Sequence, residues 1–285
     1  MSALRKPLRH VQCGLTLVEL VITLTLLGVL AAAGAMLMSG QANRFVEGGD
    51  RALLADSADR GARRLADDLR TALPNSLRLI TGSTVWVEFL PVSEVGRARL
   101  RSTASGTGDI LNVDAAGESS FEVLGPAPVL HADSQLVLHN LGQDRDDAWL
   151  GDNRRGGLSW NAGTSTLSFT AAGRFPSEPP RGRFALVRGP VSFRCEGGTD
   201  SAGNGTGTLT RYDDYVLTST QPVDLVSRAA AGQAREVVLA TEVSACSAGY
   251  TVSMRNLGLF TLQLSLMRGG ATAQSTLQVM VDNTP

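Results

Sequence analysis

From Leu20 to Asn43 the chain carries no formal charge, and one acid, Glu19, stands at the head of this stretch. About 20 apolar residues suffice for a helix to cross a bilayer. The 14 residues before it, MSALRKPLRHVQCG, hold Arg5, Lys6 and Arg9 and no acid. That charge asymmetry places the leader in the cytoplasm and the bulk of the chain outside. Three readings fit an apolar block so placed. One is a secretory signal peptide, with Ala31, Ala33 and Ala35 as small-residue cleavage positions. Another is an uncleaved single-pass anchor. The third is a leader cut before the apolar block, which then stays on the mature protein. Glu19 separates them. A carboxylate inside a membrane span costs a few kcal/mol and is usually kept for a function, and neither of the first two readings needs one.

The run Gly14-Leu15-Thr16-Leu17-Val18-Glu19-Leu20 closely resembles the prepilin-peptidase site of type IV pilins and type II secretion pseudopilins. The resemblance implies cleavage between Gly14 and Leu15, N-methylation of Leu15, and a role for Glu19 in assembly. In that family the glutamate, fifth in the mature chain, pairs with the α-amino group of a neighbouring subunit. Two details depart from the common pattern: the first mature residue is Leu15 rather than phenylalanine, and the leader is longer than in the simplest pilins. The physical logic holds without the family. A buried carboxylate must be paired or neutralised, and processing creates an amine a few residues away. Gly14 lets a peptidase approach the backbone without meeting a side chain.

Beyond the span, Leu54, Ala58, Ala62, Leu65, Leu69 and Leu73 recur at helical spacing. Charged pairs four residues apart, Asp56–Arg60, Asp59–Arg63 and Arg64–Asp68, lie off that stripe. Pro74 marks the end, and Gly48-Gly49 a weak point. A helix from Leu15 to Leu73 would extend about 88 Å. From Asn75 the pattern turns to strands: 84–90, 135–139, 166–170, 183–187 and 190–195 are short, β-rich and bounded by turn residues. Phe260, Leu262, Leu264 and Leu266 alternate with polar residues, as do Leu277, Val279 and Val281, across a connection holding Gly269-Gly270. That reads as an antiparallel hairpin with one buried face. The glycine-rich 197–208 reads as a flexible loop.

The expected organisation is therefore a leader at 1–14, a transmembrane or filament-core helix at 15–43, an amphipathic helix at 44–74 and a β-rich head at 75–285. The class is α+β, pilin-like, with a long helix packed on antiparallel sheet. Cys13 leaves with the leader, so Cys195 and Cys246 are the two cysteines of the mature chain. An oxidising compartment permits a disulfide between them, closing a loop of about 50 residues worth around 4 kcal/mol; two separate buried thiols are the alternative.

Composition then removes classes of function. Lys6 is the sole lysine, which excludes Schiff-base chemistry and a lysine-bearing phosphate loop from the mature chain. With 26 bases against 27 acids, strong electrostatic nucleic-acid binding is not expected. His10 departs with the leader, and His131 and His139 are too far apart to share a helical face. The acidic run Asp144, Asp146, Asp147, Asp152 and Asn153 lacks EF-hand spacing and is opposed by Arg145, Arg154 and Arg155. No enzyme, no metal and no cofactor is expected.

A head of about 210 residues points to a minor subunit rather than a major one. The stretches 62–79, 136–142 and 151–154, the cysteine pair and the ending VMVDNTP resemble the O-type minor pilins of mannose-sensitive haemagglutinin (MSHA) pilus biogenesis. They are more loosely similar to W-type minor pilins and to the J-type pseudopilin of type II secretion. The resemblance implies a subunit that starts or builds a pilus at or near its tip. Its partners would be the prepilin peptidase/N-methyltransferase, other major and minor pilins, and the inner membrane. Its head would face the periplasm before assembly and the cell surface after it. A tip adhesin with a ligand-binding head, and a signal-anchored periplasmic enzyme with a concave polar pocket, are the competing classes.

Overall fold

A computed structural model describes residues 14, 16–252 and 257–284, with the backbone alone described at 37–46. Leader residues 1–13, Cys13 among them, and Leu15 lie outside the described residues. The chain divides into two compact units, Met1–Asp50 and Arg51–Pro285. The class is α+β: an N-terminal apolar helix, a helical continuation and a large antiparallel sheet.

Helix α1 spans Leu17–Leu69 and continues through Gly48 and Gly49, so the expected weak point does not interrupt it. The strands that follow are β1 Arg78–Ile80, β2 Thr84–Phe89, β3 Val92–Arg97, β4 Ser120–Glu122, β5 Gln135–Leu138, β6 Arg154–Arg155 and β7 Ser159–Asn161. Then come β8 Thr166–Ser168, β9 Arg183–Val187, β10 Val191–Glu196 and β11 Gly207–Asp213. A short helix, α2 Leu225–Ala230, precedes β12 Arg235–Val252, β13 Leu257–Arg268 and β14 Ala271–Asp282.

In the second unit the apolar stripe does what its spacing predicts. Leu54, Ala58, Leu65 and Leu69 are buried against the seven-stranded sheet β1-β2-β10-β11-β12-β13-β14, together with Phe89, Phe193, Phe260 and Leu264; Ala62 is buried too, whereas Leu73 lies past the helix in a separate cluster with Leu90 and Trp149. Gly61 permits the close crossing, since a Cβ there would sit 3.1 Å from Leu209 Cδ2. All three charged pairs form on the helix surface. Asp68 also accepts Arg211 Nε of β11 at 2.6 Å, and Arg211 and Arg235 share Asp213. This chain of ion pairs ties helix to sheet.

The helix stops at Leu69, before Pro74. The reason is competition for hydrogen bonds. Leu73 N–H donates to Leu90 O and Val92 N–H to Thr71 O, both at 2.7 Å, so residues 71–73 peel away to pair with the β2–β3 connection. A proline also disfavours helical backbone at the residue before it.

The C-terminal hairpin has the expected register, from Leu257 opposite Asp282 to Arg268 opposite Ala271. Gly269 and Gly270 turn it with φ of 52° and 84°, the double positive φ of a two-residue hairpin turn. The longest strand, β12, had no counterpart among the expected strands. It changes partner midway: its first half pairs with β11 and its second with β13, with a bulge between Val243 and Ala245. Glu242, at φ 61°, sits at that switch and accepts Arg268 Nε at 2.7 Å.

The stretch 197–208 is a tied turn, which corrects its reading as a flexible loop. Asp200 Oδ1 accepts the amides of Ala202 and Asn204, and Asn204 Oδ1 accepts Gly269 N–H at 2.8 Å. Gly205 N–H donates to Met267 O, and Gly207 opens β11. The glycines serve close packing: a Cβ at Gly205 would lie 2.0 Å from Glu242 O.

Two smaller sheets, β3-β9-β5-β6 and β4-β8-β7, enclose a second core around Phe121, Phe169, Phe175 and Phe184. Cys195 of β10 is bonded to Cys246 of β12, with Cα atoms 6.1 Å apart and within ordinary disulfide reach. The bond fastens β10 to β12 beside the tied turn, where Gly197 comes up against Ala245.

Candidate functional site at the N-terminal helix

Helix α1 begins with Thr16 outside its first turn, and Thr16 Oγ1 accepts the amide of Glu19 at 3.3 Å. Thr16-Leu17-Val18-Glu19 is thus one half of a capping box, with the hydroxyl satisfying one of the helix's orphan amides. The reciprocal bond, from the Thr16 amide to the glutamate, is not made. Among the described residues the Glu19 carboxylate meets no donor and no cation. It stands exposed in the first turn, where the helix dipole favours negative charge.

The following turns contain two hydroxyls, each satisfied internally. Thr23 Oγ1 donates to Leu20 O and Thr25 Oγ1 to Ile22 O, both at 2.9 Å. Such back-bonding is how a span keeps polar groups inside an apolar medium. Leu17–Met36 is 20 residues long with a mean hydropathy of 2.2, about 30 Å of helix. Its side chains are exposed all round, Leu17 by 80% and Leu30 by 68%. A contiguous apolar surface of this kind marks a membrane or protein contact. Gly14 is exposed, and nothing lies within 4 Å of where a side chain would project. The structure therefore places Gly14 and Glu19 at the start of α1; Leu15, between them, is not described.

Among the described residues no group of three His, Cys, Asp or Glu side chains converges as metal ligands. The acidic run is taken up locally: Asp152 pairs with Arg145, and Asp147 accepts the Trp149 amide. Asp146 accepts Ser177 Oγ at 2.6 Å, and that hydroxyl faces His139 Nδ1 at 2.9 Å. The order is wrong for an activated serine, because the hydroxyl proton points at the carboxylate rather than at the imidazole.

A buried carboxylate outside the acidic run, Glu88, has a structural setting. Glu88, 1% exposed, has its pKa raised by burial, against the opposing pull of Arg78 and Tyr215. Arg78 Nε lies 3.0 Å from Glu88 Oε2, and Tyr215 Oη donates to Oε1 at 2.9 Å. Sequence reasoning did not single out this network; its partners lie 10 and 127 residues from Glu88.

Residues 9–35 match the prokaryotic N-terminal methylation motif, a type IV pilin-like leader. No curated protein and no solved structure matches the chain. The motif supports a type IV pilin-like or pseudopilin protein, and implies processing by prepilin peptidase and assembly with other pilins. The apolar helix fits the single-pass anchor typical of such proteins.

Proposed function

We propose that the chain is a minor type IV pilin-like subunit that initiates or builds an MSHA-type pilus at or near its tip. Prepilin peptidase cuts between Gly14 and Leu15, Leu15 is N-methylated, and Glu19 receives the α-amino group of a neighbouring subunit. Residues 15–43 serve as the membrane and then filament-core helix, and the rest of α1 carries the head at 75–285. The protein is a structural subunit without catalytic activity. It waits in the inner membrane with its head in the periplasm and reaches the surface on assembly.

The observation that carries this reading is the methylation motif at 9–35 with Glu19 inside it. The unused Glu19 carboxylate supports it, because Thr23 and Thr25 are satisfied within the helix and Glu19 is not. Ala31, Ala33 and Ala35 lie inside α1, which supports a cut before the helix over a signal-peptidase cut within it. The choice of an MSHA-type pilus rests on the sequence resemblance; a J-type pseudopilin is the alternative.

Mass spectrometry of the mature N-terminus tests the class. N-methylated Leu15 is the expected result, and a start near Gly34 or Met36 overturns it. Deleting the gene and scoring piliation beside type II secretion separates the two systems: loss of MSHA-type pili is expected, and loss of secretion alone assigns the pseudopilin.

A further inference from the structure

The sheet β3-β9-β5-β6 has one face sealed and the other half open. Gly96, Phe184 and Leu138 form one cross-strand row, turned into the Phe121 core. Val95, Ala185 and Val137 form a row on the opposite face. That face is covered at one end by Leu73, Leu90 and Trp149. At the other end it is a concavity of about 530 Å³, bounded by Leu124, Pro126, Pro74 and Thr284. Val95 is 76% exposed there and Leu124 43%. The volume is in the range of small-molecule sites, roughly 300–1,000 Å³.

The next row on this face is Arg97 opposite Arg183. Like charges directly opposite on neighbouring strands destabilise a sheet, and among the described residues no carboxylate relieves them. Arg97 Nε donates to Arg181 O at 3.3 Å, and neither Arg97 nor Arg183 has an ion-pair partner among the described residues. Elsewhere in the head arginines are commonly paired: Arg99 with Glu122, Arg188 with Asp133, Arg211 with Asp68. Both unpaired guanidiniums line the apolar concavity, as does His139 just beyond the end of β5.

We propose that this concavity binds a small amphipathic anion, an aliphatic chain ending in a carboxylate or phosphate. The chain lies along Val95, Ala185 and Leu124, and the oxyanion sits between Arg97 and Arg183. Guanidinium pairs suit such groups because their planar donors match two oxygens at once. Beside the arginines the lining is mainly aliphatic, Val95, Ala185 and Leu124, which suits an alkyl chain. This site is independent of the proposed role in a pilus.

The test uses the full-length protein in lipid-free peptidiscs, titrated with octanoate, octyl phosphate and uncharged octanol by ligand-observed NMR, with empty peptidiscs as blank. Saturable binding of octanoate or octyl phosphate at least tenfold tighter than octanol is expected; the tighter of the two names the headgroup and so separates a free acid from a lipid phosphate. R97Q/R183Q should weaken both anions at least tenfold, leave octanol unchanged and keep the melting temperature at or above that of the parent protein. V95E, at an exposed position, should block anion binding by supplying the arginines with an internal carboxylate. Anion binding within twofold of the parent in both variants, or octanol binding as tightly as the anions, overturns the proposal.

Discussion

Thr16 caps the helix through the amide of Glu19, and the Glu19 carboxylate returns no bond to Thr16. The residue therefore belongs to the helix through its backbone, while its carboxylate has no partner among the described residues. On the proposed reading, Glu19→Ala inserts into the membrane normally and is not incorporated into filaments. Cell fractionation and immunoblots of sheared pili check this: the variant should appear in the membrane and be absent from the sheared fraction. Normal recovery in sheared pili would falsify the assembly role.

The disulfide closes a chain segment with a sequence separation of 51. Loop entropy makes this worth about 4 kcal/mol. For a unit of this size that corresponds to a melting temperature lower by roughly 8–16 °C. Thermal melts of the parent protein and of Cys246→Ser, each with and without reductant, should show the drop in the parent on reduction and no further drop in the variant.

Glu88 gives a stability profile of unusual sign. Its pKa is raised on folding, chiefly by burial, so the native state holds the proton more tightly than the unfolded chain. Its contribution is full below the ordinary glutamate value of about 4.3 and falls as pH rises through the folded pKa. Chemical denaturation across pH 4–8 should show that decline, and Glu88→Gln should flatten it. Asp213 acts at the other end. Burial favours its neutral form, but Arg235 and Arg211 outweigh burial and hold it below the usual carboxylate range. Its contribution is present above about pH 3.9 and is lost as pH falls through the folded pKa.

Arg78 balances Glu88 and also stacks 3.6 Å from the centroid of the Trp149 ring. Arg78→Ala leaves a buried carboxylate unpaired, a change that costs about 3–5 kcal/mol. Denaturant unfolding should show it, and R78A/E88Q should recover part of the loss.

Gly61 faces Leu209 and Ala240 across the helix–sheet contact. Gly61→Val inserts branched carbon where even a Cβ is tight, and overpacking of this kind costs roughly 1–3 kcal/mol. A lower denaturation midpoint with an unchanged slope is the expected reading. A variant as stable as the parent would mean that the contact relaxes to admit the larger side chain and that Gly61 is not required for the close crossing.

How much could be read in advance depended on how local each signal was. Gly14 and Glu19 lie within one short motif, and Leu54 to Leu69 follow a single helical period, so both stood out in the residues alone. The capping box was equally local but hidden, since Glu19 already had a reading as a membrane acid. The end of α1 was placed late because Leu73 and Thr71 bond to Leu90 and Val92, partners that helical spacing does not reveal. Strand β12 lacks a steady alternation because it serves two different neighbours on its two halves. The glycines at 197–208 read as slack, yet Asn204 reaches Gly269, 65 residues away. Arg97 and Arg183 become a pair only once the register of β3 on β9 is known.

The buried stripe from Leu54 to Leu69 runs along the helix axis for about 22 Å. A load drawn along that axis meets the contact edge-on. Leu54, Ala58, Leu65 and Leu69 then slide against the sheet together instead of lifting away one after another. Joints loaded in shear give way only when every contact yields at once, whereas joints loaded in peel open one contact at a time. Within the second unit, the contact between this helical segment and the sheet is thus oriented to resist a load along the segment's own axis.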